Sequence, residues 1–425
     1  MKYGNALSYF HQFCHQIRVQ QCCKMSTFTS SRLHNGLKKA NEKLSKELRT
    51  HSTSKVLKYK PPDWAQDLCG IPAMKLKLSN YNTPIHRWYL PGIPEDFEVY
   101  IKRDDLTGCS LSGNKARKLE FLLAEALESG CDSLIACGGM NSNFCRSLTA
   151  AGRELGFKSH LFLRSRSLNA EDRPVLGNLE MNFLLGADVY LVPIKSSYEK
   201  DILPRMQQLA THLRSNCNMA PYVIPIGGTC TTGLFGHIEC FDELKRQGAL
   251  EDYTDLVCTA GSGSSAAGFC IGNYLNESPM KIHAMAVCDD ASYFHGEIMT
   301  LLKNVGLQKD GESGVQSADL IDIVEGVKGL GYGLSTEEEL EFVLETAATT
   351  GIFLDPTYTG KAAYHMLKRM QTTPESFNGK KILFYNSGSV LGLMDGRMAS
   401  LLESKDSFHN VHDWMSIDRF PLEST

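Results

Sequence analysis

The sequence predicts an α/β protein built on two open parallel sheets with helices on both faces. Three observations carry that expectation. From about residue 115 onward, short apolar runs suited to strands alternate with amphipathic stripes at helical spacing. The runs are continuously apolar, as in strands covered on both faces. The alternation also restarts after Gly227-Gly228, giving two series of units.

Taken in order, the first helix is marked by Leu119, Leu122, Leu123, Ala126 and Leu127, spaced i, i+3, i+4, i+7, i+8, and Gly130 ends it. A strand follows over 133–137, closed by Gly138-Gly139. Next come a helix at 143–156, a strand at 159–163, a helix near 177–185, a strand at 189–192, a helix at 198–215 and a strand at 222–226. The second series has a helix at 232–247, a strand at 255–259, a helix near 265–275, a strand at 282–288 and a helix at 292–304. A long helix fits 335–350, with Ser335 as N-cap and Glu338 three residues on, a capping-box spacing. A helix at 360–370 and a strand at 381–385 close the core.

In open α/β sheets, ligands bind beyond the carboxyl ends of the strands. Four loops rich in Gly, Ser and Asn lie there: 138–143, 227–229, 260–265 and 386–389. Their convergence marks a candidate site. Gly261-Ser262-Gly263-Ser264-Ser265 stands between a strand and a helix, where inward N–H groups and the helix dipole suit a phosphate. Gly261-x-Gly263-x-x-Ala266, with Asp289 or Asp290 ending the next strand, also satisfies a dinucleotide fingerprint. The loop alone leaves three readings open: a dinucleotide, one small phosphate, or a tight turn without ligand. Lys115, in Ser112-Gly113-Asn114-Lys115-Ala116-Arg117-Lys118, falls in the first turn of its helix. The dipole there opposes a cation, so the amine should release its proton readily, as a Schiff-base lysine must.

Length and composition bound the rest. The 425 residues suffice for two to three domains at about 150 each. A net charge of -4 gives no global field to hold nucleic acid, and no segment nears the ~20 apolar residues of a bilayer span. The 14 cysteines contain no CxxC pair, which points to free thiols in a reducing compartment and to no metal site. Residues 1–40 carry Lys2, Arg18, Lys24, Arg32, Lys38 and Lys39 and no acidic residue. That composition suggests a mitochondrial transit peptide, which a start at Met25 would largely remove to leave a cytosolic protein.

Several blocks together resemble the tryptophan-synthase-β-like class of pyridoxal-phosphate enzymes. The branch they resemble is that of 1-aminocyclopropane-1-carboxylate deaminase and D-cysteine desulfhydrase. They are 101–108 (Ile-Lys-Arg-Asp-Asp-Leu-Thr-Gly), 113–120 (Gly-Asn-Lys-Ala-Arg-Lys-Leu-Glu), Gly138-Gly139-x-x-Ser142-Asn143-x-x-Arg146, the loop 261–265, and 354–361 (Leu-Asp-Pro-Thr-Tyr-Thr-Gly-Lys). The resemblance implies pyridoxal 5'-phosphate in the cleft between two domains, carried covalently by Lys115. Ser142, with Asn141 and Asn143, would hold the substrate carboxylate, or Ser142 would act as a reactive hydroxyl. Asn143 would also bond the cofactor's phenolic oxygen, and Tyr358 would lie against its ring. Gly261, Ser262, Gly263, Ser264 and Ser265 would hold the phosphate, and Thr359 and Ser387 would face the pyridine nitrogen.

The expected division is a transit peptide and linker over 1–60, a large cofactor-binding domain from 61–117 plus 229–405, a small domain over 118–228, and a tail at 406–425. The resemblance also implies a small amino-acid substrate and a homodimer. The deaminase branch has an acid directly after the tyrosine, and here it is Thr359. A hydroxyl makes the ring a weaker electron sink. That favours loss of a thiolate from cysteine over opening of a cyclopropane. Two positions depart from both branches: Asn141 replaces the usual Gln, and Asn386 stands where relatives carry His. These departures keep deamination of the cyclopropane amino acid, and a non-catalytic cofactor- or nucleotide-binding protein, as alternatives.

Overall fold

The computed structural model of the chain describes residues 56–169, 175–308 and 314–405. Most of the expected transit segment and the expected tail at 406–425 lie outside the described residues. Structure is present at residues that the composition assigned to linker. Strand β1 (Val56–Lys58) pairs antiparallel with β2 (Met74–Leu76), and Tyr59 is buried against Phe121 and Phe235. Residues 56–60 are therefore not linker, because one aromatic anchor outweighs the polar residues around it.

Strand β3 (Ile85–Arg87) runs antiparallel to β4 (Glu98–Lys102), so the larger sheet is not wholly parallel as expected. The ten residues between them contain no helix, and a parallel return needs a crossover of a dozen residues or more. Strands β5 (Ser133–Gly139), β6 (Lys158–Ser165), β7 (Asp188–Pro193) and β8 (Pro221–Val223) form a four-stranded parallel sheet in the order β7-β6-β5-β8. Strand β8 is shorter than expected because Pro225, which has no N–H to offer a ladder, leads into a turn at Ile226–Gly228. The chain then returns to the first sheet with β9 (Asp255–Ala260), β10 (Lys281–Ala286), β11 (Asp322–Val324) and β12 (Lys381–Tyr385). That sheet has six strands in the order β11-β10-β9-β12-β4-β3. The three-residue β11 had no visible signal in the sequence.

Successive residues of a strand face opposite ways and build a core on each face of the sheet. In β12, Leu383 and Tyr385 join the core under helices Thr231–Arg246, Ser264–Leu275 and Ala291–Asn304. Ile382 and Phe384 join the opposite core, under helices Glu337–Thr350 and Thr359–Thr372. The four-stranded sheet is covered likewise, by helices Lys115–Glu128 and Asn143–Glu154 on one face and Leu203–Cys217 on the other. Two helix starts differ from expectation. The expected helix at 198–215 opens with a π turn, Tyr198–Ile202, which Ser197 caps by accepting from the Lys200 N–H. The capping box belongs to Thr336 and Glu339, one residue later than read, because Glu339 rather than Glu338 reaches back to the cap N–H.

Candidate active site

Lys115 is the first residue of its helix. The loop before it is pinned by the loop that follows β12: the Asn114 N–H donates to the Ser387 carbonyl at 3.2 Å, and the Ser112 and Ser389 hydroxyls are 2.6 Å apart. Gly113 has φ +97°, and a Cβ there would stand 2.9 Å from the Ser387 carbonyl oxygen, so only glycine fits between the two loops. Burial pulls the Lys115 ammonium down to about 8, with the nearby Arg146 charge acting in the same direction and Asp355 opposing. Its Nζ lies 6.0 Å from the centroid of the Tyr358 ring.

Tyr358 precedes the helix Thr359–Thr372, in a turn organised by Asp355. The Asp355 carboxylate is buried and accepts the N–H groups of Thr357 (3.1 Å), Tyr358 (2.8 Å) and Thr359 (3.4 Å). The Thr359 hydroxyl donates to the same carboxylate at 3.1 Å and accepts the Asp355 N–H at 3.0 Å. Burial holds the Asp355 pKa above the ordinary carboxylate value, against the pull of these bonds. The turn backs onto Gly388, where a Cβ would collide with Asp355 and Thr359. Tyr358 has a partner that the sequence did not reveal. The Tyr332 hydroxyl is 2.8 Å from the Tyr358 hydroxyl, with the rings edge to face. Burial, together with the neighbouring Tyr332 hydroxyl, pushes Tyr358 well above its usual value.

Gly261 brings the phosphate-type loop against this pair, since a Cβ there would stand 2.8 Å from the Tyr358 ring. Gly263 is the N-cap residue, and Ser264 and Ser265 open the helix Ser264–Leu275, leaving its first N–H groups facing the loop. From the other sheet, Gly227 packs on Ser262, and Thr229 donates to the Ser262 carbonyl at 3.0 Å. Lys118, buried one turn after Lys115, donates to the Gly227 carbonyl at 3.0 Å. Asp290, a candidate acid of the dinucleotide fingerprint, instead caps the helix Ala291–Asn304 by accepting the Tyr293 N–H at 2.8 Å.

Ser142 caps the helix Asn143–Glu154, accepting the Cys145 N–H at 3.2 Å, which leaves its own proton available. Asn178 ties this start together. Its amide N–H donates to the Asn141 carbonyl at 2.8 Å and to Asn143 Oδ1 at 2.7 Å, and its oxygen accepts from Arg146 Nε at 3.0 Å. Arg146 is buried, bonds the carbonyls of Ser110 and Ser112, and has no carboxylate partner among the described residues. Burial lowers it to about 10. A guanidinium so placed beneath a helix N-terminus makes the Ser142 corner attractive to an anion.

Contacts between these loops join the two sheets: Tyr358 lies near Lys115 and against Gly261 and Tyr332, Tyr332 lies on Gly139, and Gly227 packs on Ser262. The residues missed are Tyr332 and Asn178. Tyr332 lies in Gly-Leu-Gly-Tyr-Gly (329–333), and a tyrosine between glycines was the one available hint. Several polar atoms around the loops lack hydrogen-bond partners: Asn114 Oδ1, Asn141 Oδ1, Ser264 Oγ, and both amide atoms of Asn386. Buried groups of this kind cost about 1–3 kcal/mol each when unpaired. A ligand with a phosphate and a polar aromatic ring offers partners of the right kind.

A lysine amine of lowered pKa, an aromatic face and a phosphate cradle, joined at the carboxyl ends of two α/β sheets, define a pyridoxal-phosphate enzyme. A family profile described as pyridoxal-phosphate dependent enzyme matches residues 76–388, and the chain belongs to that family. It is 41% identical over 351 residues to the "Bifunctional D-cysteine desulfhydrase/1-aminocyclopropane-1-carboxylate deaminase, mitochondrial" of Arabidopsis thaliana, covering 81% of this chain and 86% of that one. It is 28% identical over 323 residues to a D-cysteine desulfhydrase of Salmonella paratyphi C, covering 75% and 95%. A crystal structure described as an ACC deaminase homologue superposes with a TM-score of 0.67 at 29% identity, covering 81% of this chain and all of that one. Pyridoxal phosphate is thus the cofactor, in place of the dinucleotide that the loop alone allowed.

Proposed function

We propose that this protein is a desulfhydrase that takes cysteine, D-cysteine foremost, to pyruvate, hydrogen sulfide and ammonia by β-elimination with uptake of one water. The observation that carries the reading is the Lys115 amine, held near pKa 8 and 6.0 Å from the Tyr358 ring, where the loops of both sheets meet. Lys115 serves twice, as the covalent anchor of the cofactor and, once freed, as the base for the substrate Cα proton. Bound there, the cofactor supplies the sink for the electron pair left at Cα. Ser142, Asn141 and the first N–H groups of the helix Asn143–Glu154 hold the substrate carboxylate, supported by the Arg146 charge. Asn143 bonds the phenolic oxygen, and Gly261 to Ser265 hold the phosphate.

Ser387 and Thr359 serve the ring nitrogen. Thr359 can accept a hydrogen bond there while its own hydroxyl donates to Asp355. The Tyr332–Tyr358 pair can deliver one proton outward, because each hydroxyl steadies the oxygen that its neighbour leaves behind.

The Asp355 carboxylate behind Thr359 also favours a second activity. It strengthens the sink that a lone hydroxyl would give, which suits deamination of 1-aminocyclopropane-1-carboxylate to 2-oxobutanoate and ammonia. The Arabidopsis relative is named for both activities. Parallel product assays separate them. Sulfide and pyruvate from D-cysteine support the first reading, and 2-oxobutanoate alone from the cyclopropane substrate overturns it. We further propose a mitochondrial location, supported by the acid-free basic residues 1–40 and by the name of the same relative. A reporter fused to that segment and left in the cytosol would reject it. The proposed assembly is a homodimer, which light scattering tests. The proposed domain division keeps 118–228 as a small domain set into the large one, supported by the confinement of β5–β8 to that stretch.

A further inference from the structure

We propose that Lys361 is a positioning residue whose ammonium holds the turn 326–333, and with it Tyr332, against Tyr358. The turn is rich in glycine. Gly326, Gly329, Gly331 and Gly333 all take positive φ, a backbone that loses much freedom on ordering. Leu330 and Tyr332 are exposed, while Val327 is the buried apolar anchor at one end.

Lys361 grips the turn from below. It is 1% exposed, and its Nζ donates to the Lys328 carbonyl at 2.6 Å and to the Gly331 carbonyl at 3.3 Å. The same two carbonyls accept the turn's own bonds, from the Gly331 N–H (3.1 Å) and the Leu334 N–H (3.2 Å). Glu339 balances the charge at 3.6 Å, and a Cβ on Gly329 would stand 2.9 Å from a Glu339 carboxylate oxygen. The turn is thus wrapped closely on the ion pair.

Gly331, one of the gripped residues, directly precedes Tyr332, whose ring lies over Gly139 and whose hydroxyl meets Tyr358. Tyr358 stands at the start of the helix that carries Lys361 three residues on. One element therefore presents one tyrosine and pulls in the other. A buried ammonium is costly to desolvate, and here its return is the placement of a side chain at the reacting centre.

The kinetic part of the proposal rests on the reading of the two tyrosines as a working pair; the mechanical part does not. The test uses the holoenzyme with Lys361→Met, Lys361→Gln, Tyr332→Phe and the Lys361→Met/Tyr332→Phe double variant. Hydrogen exchange read by mass spectrometry should be at least about tenfold faster over 328–334 in Lys361→Met and unchanged elsewhere. With D-cysteine, kcat should fall by about tenfold or more while KM stays within about twofold, as expected of a misplaced side chain. Lys361→Gln, which can still donate to the carbonyls, should recover most of both. On a Tyr332→Phe background, Lys361→Met should cost less than about twofold further. Unchanged exchange in the turn, or losses that multiply in the double variant, would overturn the proposal. If Lys361→Met does not fold, the native protein still decides: exchange of the Gly331 and Leu334 amides at the unprotected rate would contradict the clamp. A Tyr332→Phe variant with native kcat would instead refute the tyrosine reading and leave the exchange result standing.

Discussion

Burial turns Lys115 from an ordinary ammonium into an amine that loses its proton near pH 8, and this sets when the site can be loaded. Condensation with an aldehyde needs the neutral amine. The rate at which cofactor-free protein takes up pyridoxal phosphate should therefore climb about tenfold per pH unit below 8 and level off above it. At the usual lysine pKa the climb would continue past pH 10, so stopped-flow absorbance across that range separates the two cases. The tyrosine pair makes a second prediction at this scale. Tyr332→Phe removes one hydroxyl from a site that keeps its shape, so the fold should survive. Without the 2.8 Å partner of Tyr358, kcat for sulfide release should drop by about 10²-fold, within the usual span for a lost proton donor. Steady-state kinetics beside an unchanged circular-dichroism spectrum check both halves.

Elements matter here chiefly through how they start. The lysine helix begins where it does because Gly113 can turn left-handed against Ser387, and the Ser142 corner exists because a serine caps the next helix. Gly113→Ala should destabilise the protein by about 1–3 kcal/mol through backbone strain and weaken cofactor binding, since the loop bearing Ser387 must shift. Thermal melts with and without cofactor measure both effects.

These starts were largely legible in the sequence, because glycine, serine and asparagine at strand and helix ends have local causes. The strands β5, β6, β9, β10 and β12 were legible too, each with a short apolar run at its centre. What escaped has no local cause. β11 is three residues long, and β3 runs antiparallel because its connection is short, not because of its composition. Tyr332 becomes a site residue only when a turn 26 residues before Tyr358 closes back on it. Asn178 organises Asn141 and Asn143 from 35 to 37 residues away. The capping box was read one residue early because Glu337, Glu338 and Glu339 are consecutive, and only geometry tells which one reaches back.

At the scale of the whole molecule, the helix Lys115–Glu128 is shared between cores. Its Leu119, Leu122 and Leu123 pack with the four-stranded sheet, and its Phe121 packs with the six-stranded one. A buried ionic network locks it in place. Arg117 binds Asp104 at 2.6 Å and Glu243 at 3.0 Å, Lys102 also pairs with Glu243, and the Tyr385 hydroxyl donates to Asp104 at 2.5 Å. Strands β4 and β12 and the helix Thr231–Arg246 are thereby tied to the residue two places after Lys115. Arg117→Met would leave the buried Asp104 carboxylate without its cation and Glu243 with Lys102 alone, and the urea midpoint should fall by the equivalent of about 3–5 kcal/mol. A midpoint within error of wild type would show that the network does not support the lysine helix. The chemistry of the site depends on one modified amine. Borohydride reduction of the yellow native protein, followed by peptide mapping, should place the pyridoxyl group on Lys115. A pyridoxyl group on another lysine, or none in folded protein supplied with cofactor, would contradict it.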